Sequence, residues 1–203
     1  MYKSLVIGID EVGRGPIAGP VCVAAFIIKQ PAKLRRNIKK AKQDNRLPLH
    51  DSKKLSKKHR EIWNSILKDW KKEGLCDFAI TLVHAKTIDR VGIVPSIQRA
   101  LELSLYKLRP NNRDNILLDG GLKAPAEFKK QKTIIKGDEK EVAIAFASIV
   151  AKVYRDQFMS RLNKKYPDYG MASHVGYGTQ AHYKAIKKYG LLHVHRKSFL
   201  RGM

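Results

Sequence analysis

The chain has 203 residues, 43% of them hydrophobic, which is enough to bury a core and excludes wholesale disorder. Its 41 Lys and Arg against 18 Asp and Glu give a formal net charge of +23, which favours a polyanionic partner, nucleic acid before an anionic membrane, although charge kept for solubility is an alternative. The longest apolar run, residues 21–28, is too short to span a membrane, and no leader precedes the first predicted strand, so we expect a cytoplasmic protein without a membrane span.

Strand and helix patterns then alternate along the chain. Runs rich in Val and Ile predict the first two strands, and an apolar face predicts a helix that starts after Ser56 and ends at Gly74. We expect a loop or a short helix over residues 29–50, and a loop, one helix and an irregular basic tail after residue 166. The predicted strands cover 5–9, 21–28, 78–84, 115–119 and 133–136, and the predicted helices cover 57–73, 96–108, 139–156 and 181–189.

This alternation predicts an α/β fold, a sheet flanked by helices, in one domain with at most an appendage. The two cysteines, Cys22 and Cys76, are too few for a disulfide framework, and we expect both to be buried, reduced thiols.

The positive charge is concentrated in two blocks. Residues 29–60 hold thirteen Lys and Arg against Asp44 and Asp51, and residues 169–203 hold no acid at all. Two basic blocks far apart in the sequence fit a groove that holds two stretches of phosphate backbone.

Four acids stand at the ends of predicted elements. Asp10 and Glu11 end the first strand, Asp119 ends a later one, and Asp138 begins the long helix. In an α/β sheet such positions converge on a site, and four carboxylates meeting there would repel one another unless a cation were present. Hard oxygen ligands select Mg²⁺ or Mn²⁺, and two such ions are the usual means of attacking a phosphodiester. A basic surface around a metal-filled acidic centre is expected of a protein that binds a polyanion and cuts it.

Each acid also has a simpler interpretation. Asp138, followed three residues later by a glutamate, fits a helix-capping pattern, and Asp119 followed by glycine is a common turn. Asp156, well along the long helix, is better explained as an exposed ion pair. The adjacent pair Asp10 and Glu11 after an apolar run is poorly explained by a turn. Spacing alone does not decide which acids matter.

Six motifs occur in order along nearly the whole chain: G-I-D-E-V-G-R-G-P-I-A-G-P-V, D-S-K-K-L-S, L-L-D-G-G, K-G-D-E-K-E-V-A-I-A-F-A-S-I-V-A-K-V-Y-R-D, H-V-G-Y-G-T and H-R-K-S-F. Together they resemble the bacterial type 2 ribonuclease H family, ribonuclease HII. The resemblance implies a ribonuclease H-like mixed β-sheet flanked by helices, with a C-terminal helical extension. It implies an endonuclease that cuts the RNA of RNA–DNA hybrids and incises 5′ to single ribonucleotides in duplex DNA, leaving 3′-hydroxyl and 5′-phosphate ends, with a role in DNA repair.

Carried over residue by residue, the resemblance makes Asp10, Glu11, Asp119 and Asp138 the catalytic ligands of two Mg²⁺ or Mn²⁺ ions. The other positions are substrate contacts. They are the 2′-hydroxyl-reading loop Gly13, Arg14 and Gly15, the sugar-stacking Tyr177, a phosphate contact at Lys53, and backbone contacts at Ser148 and Lys152. Without the motifs, Tyr177 would equally be a packed loop aromatic and Lys53 an ordinary solvated lysine.

The resemblance also predicts the organisation of the chain. We expect a catalytic domain over residues 1–163, a basic helical extension over residues 164–203 packed on the same domain, and a monomer. Val175 follows His174 where the family often has lysine, which puts one phosphate contact in doubt. The tail R-K-S-F-L-R-G-M shows no obvious clamp-binding pattern, although a docking role for it stays open.

Two other functions remain open at the level of the sequence. A non-catalytic RNA- or DNA-binding protein would show the same basic blocks, but carboxylates beside phosphate would oppose its binding. Another nuclease or a transposase-like enzyme of the same broad fold would differ in its substrate.

Overall fold

The computed structural model describes residues 4–45, 47–49 and 55–200. In this part of the chain, five strands alternate with α-helices, and two short 3₁₀ helices lie at Pro167–Tyr169 and Lys197–Phe199. The strands are β1 (Val6–Val12), β2 (Val21–Ile28), β3 (Cys76–Val83), β4 (Asn115–Asp119) and β5 (Gln131–Ile134). The α-helices are α1 (Pro31–Asn45), α2 (Lys57–Lys72), α3 (Ala85–Val91), α4 (Ile93–Leu108), α5 (Gly137–Lys140), α6 (Val142–Lys165), α7 (Met171–His174) and α8 (Gln180–Tyr189).

The strands form one mixed sheet in the order β3-β2-β1-β4-β5. β1 runs antiparallel to β2 and parallel to β4, the β2–β3 pair is antiparallel, and the β4–β5 pair is parallel. The predicted α/β class with a mixed sheet is therefore confirmed.

Helices cover both faces of the sheet. Successive residues of β2 point to opposite faces, and nearly all of them are buried, which explains its unbroken apolar sequence. On one face Phe26 packs against Phe146 of α6 and the tryptophans of α2, and on the other Val23 and Ala25 meet the apolar side of α4. Cys22 and Cys76 are buried and free, as predicted.

Several elements differ from their predicted bounds. Residues 31–45 form a full helix because Leu34, Ile38 and Ala41 make an apolar stripe at helical spacing, which the many lysines mask in the sequence. The helix predicted from residue 96 begins at Ile93 and follows a separate helix, α3. The predicted long helix is divided, since Glu141 adopts an extended conformation between α5 and α6.

Gly8 in β1 brings α6 close to the sheet. A β-carbon built on Gly8 would lie 2.1 Å from the main-chain carbon of Ala143, so any side chain there would push α6 away. This close approach sets the first turns of α6 against the end of β1.

A third cluster of buried residues joins the C-terminal part of the chain to the rest. Ile17 and Ala18, in the connection between β1 and β2, pack with Met159 of α6 and with residues beyond 165, among them Tyr169 and Ile186. The boundary that we predict at residue 163 lies within the last turn of α6, and it stays a prediction.

Candidate active site

Asp10 and Glu11 lie near the end of β1, where pairing with β2 continues but pairing with β4 has stopped. β1 pairs with β2 as far as Val12, so Asp10 and Glu11 are held within the strand and do not simply follow it. The pairing with β4 stops earlier, at Ile9 opposite Leu118. The end of β4, and with it Asp119, therefore lies beside the last residues of β1.

Asp10 is a buried carboxyl group among other carboxyl groups. It is 4% exposed; its Oδ1 accepts the main-chain N–H of Glu11 at 2.8 Å, and the Ser148 hydroxyl donates to the same side chain. Burial is the largest cause that raises the pKa of Asp10 to about 8, and the nearby charges of Asp119, Glu11 and Asp138 add to it. A site that holds Asp10 ionised therefore needs added positive charge.

The other three acids surround it. Burial and the charge of Asp119 raise the pKa of Glu11, although Arg14, whose Nη1 lies 3.4 Å from Glu11 Oε1, opposes that shift. Asp119 Oδ1 accepts the N–H of Gly137 at 2.7 Å, which fixes the end of β4 against the start of α5. Asp138, only 1% exposed, lies in α5. We refer to Asp10, Glu11, Asp119 and Asp138 as the acidic centre.

The structure removes one of the simpler interpretations and bears out another. Lys136 and Glu141 hold the N-cap positions of α5 and α6, and neither helix has a side-chain cap hydrogen bond, so Asp138 caps neither. Asp119 does begin a turn, since the N–H of Leu122 donates to its carbonyl at 3.3 Å, but its side chain also fixes the main chain of Gly137. Asp156, in contrast, forms the predicted ion pair, with its Oδ2 3.6 Å from Arg60 Nη2, but the pair is largely buried and not exposed as predicted.

The acidic centre fits a divalent cation whose ligands would come partly from these carboxylates and partly from a substrate phosphate. Among the described residues, no three acids, histidines or cysteines lie close enough together to hold an ion by themselves. Mg²⁺ is commonly held by one or two carboxylates, waters and substrate phosphate oxygens, so a looser set of buried acids suits it. The raised pKa of Asp10 shows that the protein's own groups do not offset the negative charge of this set, which a divalent cation would do.

The loop after β1, residues 13–20, carries the G-R-G sequence, and we call it the glycine loop. Gly13 has φ +86°, and a β-carbon on it would lie 2.2 Å from Arg155 Nε, so the position requires glycine for both conformation and space. The Arg14 side chain is 54% exposed and lies between Glu11 and solvent. Gly13 is buried, whereas Arg14 and Gly15 are exposed, so the loop presents these two residues immediately beside the acidic centre.

Tyr177 lies next to this loop. A β-carbon on Gly15 would be 3.7 Å from Tyr177 Cε1, and the N–H groups of Ile17 and Ala18 both donate to the carbonyl of Gly176. The Tyr177 side chain is 48% exposed, so it is a surface aromatic and not a packed one. The structure therefore brings together the two motifs that lie 160 residues apart in the sequence.

The remaining predicted contacts divide between α6 and the undescribed residues. Ser148 is buried against Asp10, and Lys152, four residues later on the same side of α6, is half-buried. Lys53 falls outside the described residues.

Comparison with known proteins agrees with this geometry. The family model for Ribonuclease HII matches residues 7–202. The chain belongs to the ribonuclease HII family. The Ribonuclease HII of Acetivibrio thermocellus is 42% identical over 201 residues, which span 99% of this chain and 71% of that protein.

Two solved structures share the fold. Ribonuclease H2 from Pyrococcus horikoshii OT3 superposes with a TM-score of 0.73 at 26% identity, covering 96% of this chain and 93% of that one. Bst-RNase HIII, crystallised with Mn²⁺, superposes with a TM-score of 0.66 at 19% identity, covering 98% and 70%. This ribonuclease HII is accordingly a type 2 ribonuclease H, an endonuclease of a family that acts on RNA–DNA hybrids. Among its described residues, no helix has the length and apolarity to cross a membrane.

Two buried arginines of this ribonuclease HII, which the sequence does not single out, hold the glycine loop. Arg196 donates to the carbonyl oxygens of Gly13, Arg14 and Gly19 at 2.7–3.0 Å. Arg155 donates to those of Pro20, Val175 and Ala18 at 2.9–3.4 Å. Burial, and then the neighbouring Arg155, lowers the pKa of Arg196 to about 9. The partners are main-chain atoms, so no side-chain pattern announces them.

The C-terminal motif of this ribonuclease HII serves the same loop. Besides the Arg196 side chain, the N–H of Arg196 donates to Ile17, and Ser198 donates from its N–H and its hydroxyl to Asp89 of α3 at 2.9 and 2.6 Å. Leu200 is buried, so the described part of the tail is packed into the fold. Val175, at the position where the family often has lysine, packs on the third cluster.

Proposed function

We propose that this ribonuclease HII is a divalent-metal-dependent endonuclease that cuts RNA–DNA hybrids and incises 5′ to single ribonucleotides in duplex DNA, leaving 3′-hydroxyl and 5′-phosphate ends. The observation that carries the proposal is Asp10. A carboxyl group that is 4% exposed, is surrounded by three more and has a pKa raised to about 8 is destabilising unless the site takes up cations. It lies beside a loop whose exposed residues, Arg14 and Gly15, are suited to touching a sugar.

The metal ligands in this proposal are the four residues of the acidic centre. When bound, two Mg²⁺ or Mn²⁺ ions would supply activation of the attacking water and stabilisation of the leaving 3′-oxygen. The protein residues prepare this state: Ser148 donates to Asp10 and favours its ionised form, and the Gly137 N–H holds the Asp119 carboxylate in place. We assign no side chain as an obligatory general base.

Selection of ribonucleotides is assigned to the loops beside the acidic centre. Gly13 and Gly15 let the main chain approach the sugar, and the 2′-hydroxyl is the group that distinguishes RNA from DNA. Tyr177 is assigned to stacking on the neighbouring deoxyribose, where a further hydroxyl group would be disfavoured. Arg14 belongs to the loop assigned to the 2′-hydroxyl, Ser148 and Lys152 are assigned backbone contacts, and Lys53 is assigned a phosphate contact.

The wider biology is proposed with the activity. The net charge of +23 supports binding of hybrids and of duplex DNA that contains ribonucleotides, and removal of such nucleotides is a step of DNA repair. We also propose a cytoplasmic monomer with a catalytic domain over residues 1–163 and a C-terminal extension over residues 164–203.

The deciding experiment maps the cut on an end-labelled duplex with one ribonucleotide. We expect one product in Mg²⁺ or Mn²⁺, cut on the 5′ side of the ribonucleotide with a 3′-hydroxyl end, and no product in EDTA. Asp10→Asn and Asp119→Asn should each abolish it, with Asp69→Asn on the exposed face of α2 as the matched control. Full rates in both acid variants would show that the acidic centre is not the active site. Salt-sensitive binding without any product would favour the non-catalytic alternative, and cleavage of all-DNA duplexes another nuclease.

A further inference from the structure

Three histidines lie beneath Tyr177, in a part of the molecule that the proposed reaction does not use. His182 and His195 are 0% and 1% exposed, and their Nε2 atoms are 3.1 Å apart. His174 stacks on His182 with ring centroids 4.2 Å apart and an angle of 20° between the rings. Buried imidazoles in direct contact require a defined arrangement of protons, since two facing nitrogens form a hydrogen bond only when one of them carries the proton.

Main-chain partners decide that arrangement. The N–H of Leu192 donates to His195 Nδ1 at 2.8 Å, a shorter contact than the 3.3 Å between the same nitrogen and the Leu192 carbonyl oxygen. The Tyr177 carbonyl, which can only accept, requires the proton of neutral His182 on Nδ1 and leaves His182 Nε2 as an acceptor, so neutral His195 carries its proton on Nε2. His195 then donates to His182 Nε2. His182 Nδ1 lies 2.8 Å from the carbonyl oxygen of Tyr177 and donates to it. The hydrogen bonds therefore all run in one direction, from Leu192 through His195 and His182 to Tyr177.

The environment keeps these rings neutral. Burial, and then the neighbouring His174 and His195, lowers the pKa of His182 to about 4, against the opposing effect of the Tyr177 carbonyl. Burial also lowers the pKa of His195. His174 fits the same scheme, because its Nδ1 accepts the N–H of Gly176 at 3.2 Å and its Nε2 donates to the carbonyl of Tyr169 at 2.8 Å.

This series of hydrogen bonds ends at the main chain of Tyr177, the residue that we assign to sugar stacking. The N–H of Tyr177 donates to the carbonyl of His174 at 2.9 Å, and its carbonyl accepts from His182 and from the N–H of Thr179. Both main-chain groups of Tyr177 are thus fixed from below while its ring, 48% exposed, faces solvent. A positioned aromatic ring loses little freedom when a sugar stacks on it.

We propose that His182 and His195 are positioning residues that set Tyr177 for recognition of the RNA–DNA junction, through a chain of fixed tautomers. The inference rests on the proposed function for its consequence, since junction recognition is assigned to Tyr177 there. The tautomers themselves are a property of the free protein and are testable without substrate.

The first test reads the tautomers by long-range ¹H–¹⁵N correlation of the histidine rings in the full-length, metal-free protein at pH 7.5. We expect a proton on Nδ1 of His182, the minor form of free histidine, and on Nε2 of His195 and His174. His182→Phe assigns the signals by their loss, and in His195→Phe the His182 Nε2 loses its donor, so its ¹⁵N shift should move toward that of a nitrogen without a hydrogen bond while the proton stays on Nδ1. A proton on Nε2 of His182 in the wild-type protein, or on both of its nitrogens, would overturn the proposal.

The second test compares kcat/KM on a duplex with one ribonucleotide followed by DNA with that on a continuous RNA–DNA hybrid. His182→Phe keeps a ring of similar size against His174 and removes the donor to Tyr177, so the junction preference should fall about tenfold, the value of one well-placed hydrogen bond. His182→Asn, whose amide nitrogen replaces Nδ1–H, should retain most of the preference even if the phenylalanine variant folds poorly. His193→Phe changes an exposed histidine of the same segment and should leave the preference unchanged.

The outcomes distinguish the role of Tyr177 at the junction from the positioning role of His182 and His195. A wild-type protein without any junction preference would contradict the proposed role of Tyr177 and, with it, that of His182. A wild-type preference that His182→Phe leaves intact, or equal losses on both substrates in His182→Phe and His182→Asn, would overturn the positioning role alone. A selective loss in His182→Phe with recovery in His182→Asn supports it.

Discussion

Two adjoining regions of the molecule hold buried charge in opposite ways. In the acidic centre, carboxylates crowd together and burial raises the pKa of Asp10 to about 8. At the glycine loop, the buried guanidinium groups of Arg155 and Arg196 donate five hydrogen bonds to carbonyl oxygens of the loop and a sixth to that of Val175. The negative charge of the acidic centre is not offset by the protein's own groups and needs a positively charged ligand. The positive charges at the glycine loop are offset by carbonyl groups of the protein itself.

The difference follows from what each region does in the proposed reaction. A site that takes up cations gains affinity by leaving negative charge uncompensated, and it loses folding stability by the same arrangement. A loop that distinguishes one hydroxyl group must hold its main chain in one conformation before the substrate arrives. Substitutions in the two regions should therefore change activity and stability with different signs.

Asp10→Asn is the sharpest test of that difference. We expect incision to fall roughly a thousandfold, because a ligand for cations is lost. In EDTA at pH 7.5 we expect the free energy of unfolding to rise by more than about 1 kcal/mol, because the folded variant no longer has to bind a proton or bury a charge at position 10. Single-turnover cleavage and urea denaturation measure the two effects. Asp69→Asn, on the exposed face of α2, should change neither, and a loss of stability in Asp10→Asn would contradict our account of the acidic centre.

Arg196→Met tests the glycine loop, where the protein itself offsets the buried charge. The substitution leaves the carbonyl groups of Gly13, Arg14 and Gly19 without their donors, so we expect the free energy of unfolding to fall by about 3 kcal/mol. Arg196→Lys should recover little of this, since one ammonium group does not replace a planar guanidinium. Urea denaturation of both variants beside Lys187→Met, an exposed cation of α8, separates this loss from a general effect of charge. Equal midpoints in Arg196→Met and Lys187→Met would contradict it.

Gly13→Ala is expected to have the next largest effect on stability. The added β-carbon meets Arg155 and also forces a side chain into a positive φ, so we expect a loss of about 2–3 kcal/mol, together with a reduced preference for the junction duplex. Gly74→Ala is the matched control, because Gly74 has φ +72° with nothing within 4 Å of the added atom. Its loss should be about 1 kcal/mol, the value for the backbone alone. Equal losses in the two variants would show that Arg155 does not constrain the loop.

The sequence predicts the acidic centre better than it predicts the glycine loop. Asp10, Glu11 and Asp119 are recognisable because carboxylates after apolar runs are unusual, and strand ends bring them together for topological reasons. Arg155 and Arg196 stand in two of the six motifs, but their role in holding the loop is not recognisable, because their partners are carbonyl oxygens that every residue has. In a chain with 41 Lys and Arg, a buried arginine looks like any other.

The errors in element bounds have the same origin in tertiary context. Asp10 and Glu11 appear to follow a strand that ends at Ile9, yet pairing with β2 extends β1 to Val12. Asp138 appears to begin a long helix, yet the chain turns at Glu141 between two helices. Periodicity detects an element, whereas its ends depend on partners that lie far away in the sequence.

The smallest expected effect is the dependence of metal-free stability on pH. The folded-state pKa of Asp10 lies near 8 and its ordinary value is 3.8, so between these values the folded protein binds a proton that the unfolded chain does not. Stability from this group therefore falls as the pH rises from about 4 to about 8 and is level above that. The depressed pKa of His182 acts with the opposite sign, but only below its ordinary value of 6.5.

The window from pH 6.5 to 8 therefore isolates Asp10. In EDTA, we expect the wild-type protein to lose about 1–2 kcal/mol relative to Asp10→Asn across this window, since each pH unit of full differential protonation is worth 1.36 kcal/mol. Urea midpoints at four pH values measure the difference, and saturating Mg²⁺ should remove it by holding Asp10 ionised in the folded state. A difference in unfolding free energy between wild type and Asp10→Asn that stays constant with pH in EDTA would mean that Asp10 is already charged without a cation. The protein itself would then offset the charge of the acidic centre, as it does at the glycine loop.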